Sequence, residues 1–418
     1  MEGTANIVLE PEMRALLQTA RVELGVQGAA QLMQLVEGGL DWQGLVEQAD
    51  WNETAALLVH HLEACGLTEA APESALAKLR TIRLEQRVRF FFFLRPELLR
   101  VLEGMESGGV EIIPLKGAFL MNTVYPDVSL RPVGDLDLLA RDEDLNRAME
   151  VLDRLGYQSK SGEAVLPSGA IDDHHHCPRV LSPDGSVELE LHRHIVRRKT
   201  PLYFPIEGFW ERSTAGEIKG RAVRVLAGRD LMTHLCCAFF LDRRRRARGY
   251  GALRQLMDLS ESFRQFEPDI DWGGMIQDFR GGALQGPLYA ALRAARELLE
   301  APVPNEFLES FRPAGFDDEI FGHFLRLKVL NPGMWFFHEL VDPHDNHWWN
   351  MSKAAIHRLL PSASYLQDKY GPRAGQAEGR LLRRHLGDAT RTALTACWRP
   401  RALARELRAD FWMNQIQL

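Results

Sequence analysis

Two aspartates one residue apart, Asp135 and Asp137 in Leu130-Arg-Pro-Val-Gly-Asp-Leu-Asp-Leu-Leu139, are the residues whose type and spacing point most directly to chemistry. Leu136, Leu138 and Leu139 make the segment read as a strand, and alternation along a strand sets both carboxylates on one side. Carboxylates so placed repel each other unless a cation lies between them. Their oxygens suit Mg²⁺ or Mn²⁺, hard ions that take few protein ligands. Gly134 leaves room beside the pair for a phosphate. Arg131, just upstream, has a fork that can bridge phosphate oxygens; its competing role is a salt bridge to Asp127 or Asp135.

The flanking elements must position this pair. Val110-Glu-Ile-Ile-Pro-Leu115 reads as a strand that runs through Lys116-Gly117 into a helix from Ala118 to Tyr125. A helix start offers free backbone N–H groups and a favourable dipole to an anion, and Lys116 adds a point charge. Downstream, Val187-Glu-Leu-Glu-Leu-His-Arg-His-Ile195 alternates strictly, so Glu188, Glu190, His192 and His194 share one face. Between the two strands, Leu145, Ala148, Met149, Leu152 and Leu155 form a helical stripe that Asp142 can cap and Gly156 ends. A hairpin follows: His174 to Leu181 turns through Ser182-Pro-Asp-Gly185, bringing His174 to His176 back beside Glu190 and His192.

The order Leu115-Lys-Gly117, Tyr125-Pro126, Arg131-Pro132, Gly134-Asp-Leu-Asp-Leu138, Leu155-Gly-Tyr157 and Glu190-Leu-His192 resembles the uncharacterised bacterial nucleotidyltransferases of the DNA polymerase beta superfamily. The match is densest from about residue 112 to 195, and fainter through Leu253-Arg-Gln-Leu-Met-Asp258 and Leu360-Pro-Ser-Ala-Ser-Tyr365. The resemblance implies two-metal nucleotidyl transfer from a nucleoside triphosphate, ATP by abundance. Asp135, Asp137 and Glu190 would be the catalytic metal ligands. Gly117 and its helix would hold the triphosphate, and pyrophosphate would leave. From the residues themselves, Lys116, Gly134 and Arg131 would serve the phosphates, and His192 would touch a phosphate, orient Glu190 or simply be satisfied at the strand end. The implied fold is α+β: a small mixed-sheet core at 106–204 between a helical N-terminal region, 1–105, and a helical C-terminal region, 205–418, that closes the cleft and sets specificity. The acceptor would be a hydroxyl or phosphate of a small molecule, a peptide or a protein. Three departures from the superfamily stand out. Lys116-Gly117-Ala118 replaces the usual Gly-Ser; the interval from Gly117 to Asp135 is long; and Glu190 stands where Asp is common, with Glu188 as its rival.

Other constellations carry weaker signals. Of His174 to His176, only the first and third could share an ion on a strand; hydrogen bonding in the cleft or a structural role fits them better. His338, His344 and His347 with Trp348 and Trp349 match no ligand template and read as a packed aromatic loop. The run Asp242-Arg-Arg-Arg-Arg-Ala-Arg248 could grip RNA or polyphosphate, though such runs are more often solvated. Arg254 and Asp258 can pair across one helical turn. The run Phe90 to Leu94 inside a helical pattern reads as buried core, and Pro96 as a break or kink.

A chain of 418 residues has length for two or three domains, and 45% hydrophobic with 26% charged residues is an ordinary globular balance. Net charge −7 argues against a dedicated nucleic-acid binder. Five cysteines without metal-type spacing exclude a disulfide framework and a zinc module. The start Met-Glu-Gly-Thr-Ala-Asn has no signal-peptide pattern and no long apolar run follows, so a cytoplasmic location without a membrane partner is expected. Three alternatives to a transferase with a small-molecule or protein acceptor remain: a catalytically silent nucleotide-binding or scaffold protein, an RNA-directed transferase, and a toxin-like transferase acting on tRNA or protein.

Overall fold

The computed structural model describes residues 9–159, 174–198, 200, 202–241 and 252–330. The arginine run, the His338–His347 cluster with its tryptophans, and Leu360 to Tyr365 lie outside the described residues. The chain divides into two units. The larger comprises 8–243 and 250–316, apart from the last three residues; the smaller is described only over the helix Asp318–Leu325 and the π-helical turn Arg326–Leu330.

The larger unit is α+β, built on a mixed five-stranded sheet. Its strands are β1 (Ile113–Leu115), β2 (Asp135–Leu139), β3 (Gln158–Ser159), β4 (Val180–Leu181) and β5 (Glu188–His192), in the spatial order β1-β2-β5-β4-β3. β2 and β5 run parallel, with Asp135 opposite Glu188 and Asp137 opposite Glu190; the other pairings are antiparallel. Parallel neighbours need a crossover, and this one carries the helix Leu145–Arg154. Leu145, Ala148, Met149, Val151 and Leu152 bury its stripe, and Gly156 ends it at φ +79°. Asp142 does not cap it: its carboxylate accepts from both Nε and Nη2 of Arg193, each at 2.9 Å, at the far end of β5.

Strand alternation separates chemistry from core. Leu136, Leu138, Leu189 and Leu191 join one buried cluster with Leu98, Val101, Leu102 and Met105 of the helix Arg95–Ser107. The opposite face carries Asp135, Asp137, Glu188, Glu190 and His192. Ile218 and Val223 enter the same core from a hairpin, β6 (Thr214–Ile218) and β7 (Arg221–Val225). The hairpin lies in a stretch whose pattern had suggested helices. Arg224 donates its N–H to Ile112 O at 2.8 Å, tying the hairpin to the chain just before β1.

Before the sheet come the helices Pro11–Thr19, Gly25–Glu37, Trp42–Trp51, Ala55–Ala64 and Glu73–Arg89. The last continues through a π-helical turn, Phe90–Leu94, into Arg95–Ser107, so Pro96 follows an irregular turn of a continuous helix and does not end it. The expectation of a buried run at Phe90 to Leu94 is corrected. Phe90 and Leu94 are buried, whereas Phe91, Phe92 and Phe93 are 41%, 73% and 39% exposed. Successive side chains fan around a helix, and this one presents only one flank to the core. After β7, the helices Gly228–Leu241, Leu253–Phe266 and Gln285–Leu299 pack on one another.

Candidate active site

β2 and β5 set the site because their pleats are in register. Asp137 and Glu190 face each other across the parallel pair, and His192 follows Glu190 on the same face. His192 Nε2 lies 2.8 Å from Asp137 Oδ1 and 3.5 Å from Glu190 Oε2. One ligand atom from each of Asp137, Glu190 and His192 can be chosen so that all lie within 4.8 Å of one another, and all three residues are buried. Among the described residues these form the one such group of metal-ligating side chains. Asp135 precedes on the same face, less buried, opposite Glu188.

The cations come from two other elements. Lys116 begins the helix Lys116–Thr123 directly after β1, at φ +41°, a left-handed conformation that a side chain enters at a cost. Its Nζ lies 2.8 Å from Asp137 Oδ1, the oxygen that His192 also approaches. Arg179 reaches both Glu188 and Glu190. Counting back from the pair Leu181–Glu188 places Arg179 opposite Glu190, and the turn at Ser182 to Gly185 fixes that register.

The electrostatics follow from this crowding. Burial raises the Asp135 carboxyl and the neighbouring Asp137 charge raises it further, to about 6, against the pull of Lys116. Burial also acts on Asp137, but Lys116 and the His192 hydrogen bond outweigh it and hold that carboxyl well below its ordinary range. Glu190 is drawn down to about 2: burial and Asp137 push it up, and His192 and His176 prevail. Burial disfavours charged forms of Lys116 and His192, yet the surrounding carboxylates leave both above their ordinary values.

The expected site residues therefore separate into groups. Asp135, Asp137, Glu190, His192 and Lys116 come together. Gly117 occupies the first turn of its helix, where an added Cβ would stand 2.8 Å from Val133 Cγ1 and 2.9 Å from Arg131 Nη1. Space is open beside Gly134, whose carbonyl accepts from Arg89 Nη2 at 2.8 Å. Arg131 meets neither expectation, a phosphate-bridging fork or a salt bridge to Asp127 or Asp135. It is 3% exposed, and its Nε and Nη2 each donate to Asp258 at 2.7 Å. Asp258 also receives Arg254 Nη1 and the Tyr125 hydroxyl, each at 2.8 Å. The Arg254–Asp258 pairing across one helical turn is as read from the sequence, in a network buried on all sides. The His174–His176 segment does return beside the site, with the rings of His175 and His176 5.5 and 5.6 Å from that of His192.

Two residues escaped the sequence reading. Arg179 was legible in principle, from the turn and the count of residues along the hairpin. His234 was not, since it sits within the apolar run Leu231-Met-Thr-His-Leu-Cys-Cys237. It is 2% exposed on the helix Gly228–Leu241, and neither ring nitrogen has a hydrogen-bond partner. Burial, Lys116 and His192 lower it to about 3, so it is neutral near pH 7.

The donor set fits a hard divalent cation. Asp137 and Glu190 offer charged oxygens at close range, Asp135 a third carboxylate on the same face, and an ammonium already sits against Asp137. The family model described as uncharacterised nucleotidyltransferase matches residues 38–300, more than half of the chain. The chain belongs to this nucleotidyltransferase family. The family's matched span takes in the helices from Trp42 onward, the whole sheet and the Arg131–Asp258 network. No curated protein matches the chain. Among solved structures, the crystal structure of an antigenic nucleotidyltransferase-like protein from Paracoccidioides brasiliensis is similar over 55% of this chain and 92% of its own. The identity is 14% and the TM-score 0.29. No helix among the described residues is long and apolar enough to cross a membrane.

Proposed function

We propose that this nucleotidyltransferase-family chain is a divalent-metal-dependent enzyme with the DNA polymerase beta type of catalytic core. It would move a nucleoside monophosphate from a triphosphate, ATP by abundance, to a hydroxyl or phosphate of a small-molecule, peptide or protein acceptor. The observation that carries this reading is the in-register pairing of Asp137 with Glu190 across β2 and β5, with Asp135 beside them.

Asp135, Asp137 and Glu190 would hold Mg²⁺ or Mn²⁺. The bound ion supplies Lewis-acid stabilisation of the charge that gathers on the transferring phosphoryl group. His192 keeps Asp137 and Glu190 aligned through its Nε2. Lys116 and the first backbone N–H groups of the helix Lys116–Thr123 stand where an incoming triphosphate would need positive charge. The acceptor oxygen forms its bond to the α-phosphorus as the bond from that phosphorus to the bridging oxygen breaks; pyrophosphate leaves with that electron pair, and a hydroxyl acceptor gives up its proton to solvent. Glu190 is the third ligand of choice over Glu188, because Glu190 is buried opposite Asp137 and Glu188 lies further out opposite Asp135.

A second reading draws on the Lys116–Asp137 contact. An ammonium there would equally neutralise a site that no longer holds metal, as in a silent scaffold. Calorimetry with each of the four nucleoside triphosphates, with and without Mg²⁺, on wild type and Asp135→Ala decides between them. Magnesium-dependent binding that the variant loses is the expected result. Absence of binding by the wild type would favour the scaffold.

A further inference from the structure

We propose that Lys116 and Arg179 are displaceable counter-ions, holding Asp137 and Glu190 in place of a divalent cation and passing to the triphosphate when the cation arrives. This deepens the transferase reading and rests on it.

Asp137 Oδ1 has Lys116 Nζ at 2.8 Å and His192 Nε2 at 2.8 Å. A divalent ion bound to this carboxylate sits about 2.1 Å from its oxygen, and an ammonium beside the same oxygen would be strongly repelled. Lys116 must therefore withdraw before the ion binds well. The Lys116 side chain is 34% exposed along its length while that of Asp137 is 2% exposed, so the lysine stem has room to swing that the carboxylate lacks, although its ammonium is buried against Asp137. The left-handed backbone at Lys116 holds the side chain over β2, and strain of this sort at a site is a reason to look for function.

Arg179 makes the matching arrangement on β5. It bridges Glu188 and Glu190, so on releasing Glu190 it keeps a partner in Glu188. Its guanidinium, like the Lys116 ammonium, acts electrostatically on Asp135 as well as on Glu190. The face thus carries two cations that partly offset its four carboxylates before any metal binds. A triphosphate brings the negative charge that both side chains need once the metal has taken their partners, and an Arg fork and a Lys point charge are both suited to phosphate oxygens. Metal and triphosphate then assist each other through the same two residues, as linkage requires.

The signature is a pair of opposite shifts in one variant. Mn²⁺ alone is titrated by electron paramagnetic resonance, and ATP by calorimetry at saturating Mg²⁺ and, for wild type, also in EDTA, against wild type, Lys116→Met, Lys116→Arg and Arg179→Met. Lys116→Met is expected to bind Mn²⁺ about tenfold more tightly and ATP about tenfold more weakly, a coupling of ordinary size. Arg179→Met should shift in the same directions by less, and Lys116→Arg should stay near wild type in both. Melting curves of the metal-free proteins establish that each variant is folded. Mn²⁺ affinity unchanged or weakened in Lys116→Met would overturn the proposal, since a merely structural lysine would weaken both ligands or neither. ATP affinity unchanged in Lys116→Met at saturating Mg²⁺ would overturn the hand-over while the transferase reading stands. Wild type that binds no triphosphate under either condition would fail that reading itself.

Discussion

The segment from Lys116 to Tyr125 has a buried carboxylate at each end, and the two are satisfied in opposite ways. At its end, Asp258 accepts two bonds from Arg131, one from Arg254 and one from Tyr125. Burial disfavours its charge, but the two guanidinium groups hold it below its ordinary range. At its start, Asp137 is held by Lys116 and His192, with Glu190 opposite and Asp135 two residues away, raised to about 6. The Asp258 network spans residues distant in sequence and ties the loop before β2 to the helix Leu253–Phe266. The Asp137 cluster gathers more carboxylate on one sheet face than stability alone calls for. A closed network of matched donors is how a protein fixes structure; an acidic face propped by a lysine whose stem is partly exposed is how it keeps a place for a ligand.

The sharpest way to break this contrast is to remove charge at each end in turn. Asp137→Asn is expected to lower nucleotidyl transfer by at least about a thousandfold and to stay folded but melt below wild type, because Lys116 and His192 lose the charge that holds them. Substantial turnover by this variant would end the assignment of Asp137 as a metal ligand. Asp258→Ala should destabilise by about 3–5 kcal/mol, since it leaves Arg131 and Arg254 buried without their shared partner. Chemical denaturation measures this, and a loss below about 1 kcal/mol would mean that the network is not the structural element described.

Gly117 sits where the two regions meet. Gly117→Ala would press a methyl group against Val133 and Arg131, both buried, so a cost of about 1–3 kcal/mol is expected in the same denaturation experiment. A neutral outcome would show that the helix start can shift. The smallest effect concerns pH. A carboxyl raised from 3.8 to about 6 contributes stability that is present in full below pH 3.8 and lost as pH rises through 6. Metal-free Asp135→Asn should therefore be more stable than wild type at pH 7, by about 1–2 kcal/mol once solvent screening is allowed for, with the gain vanishing near pH 4. Parallel stability curves for the two proteins from pH 4 to 7 would contradict the crowding argument.

How much of this was legible in the sequence differs between the two regions for the same reason. Asp135, Asp137, Glu190 and His192 lie on strands whose period is two, so a shared face can be counted off the letters. Lys116 stood out at the junction of strand and helix, although its partner turned out to be Asp137. The Arg254–Asp258 pair was visible because it lies within one helical turn. Arg131 was misassigned, because its partner Asp258 is distant along the chain and no local period connects them. The phenylalanine run misled in a similar way. Apolar composition suggested burial, but which ring faces outward depends on the helix's neighbours, and Phe92 had none to cover it. The hairpin β6–β7 was overlooked because Thr214 to Val225 is short, polar and lightly patterned, and its place is set by packing against the core.

The most direct test is crystallographic. Crystals of the wild type soaked with Mn²⁺ and a non-hydrolysable ATP analogue would give an anomalous peak at the metal position. The expected peak lies between Asp135, Asp137 and Glu190, with the triphosphate over the start of the helix Lys116–Thr123 and Arg131 still bound to Asp258. Metal at another place, or a triphosphate gripped by Arg131, would contradict the division between a ligand face and a structural network.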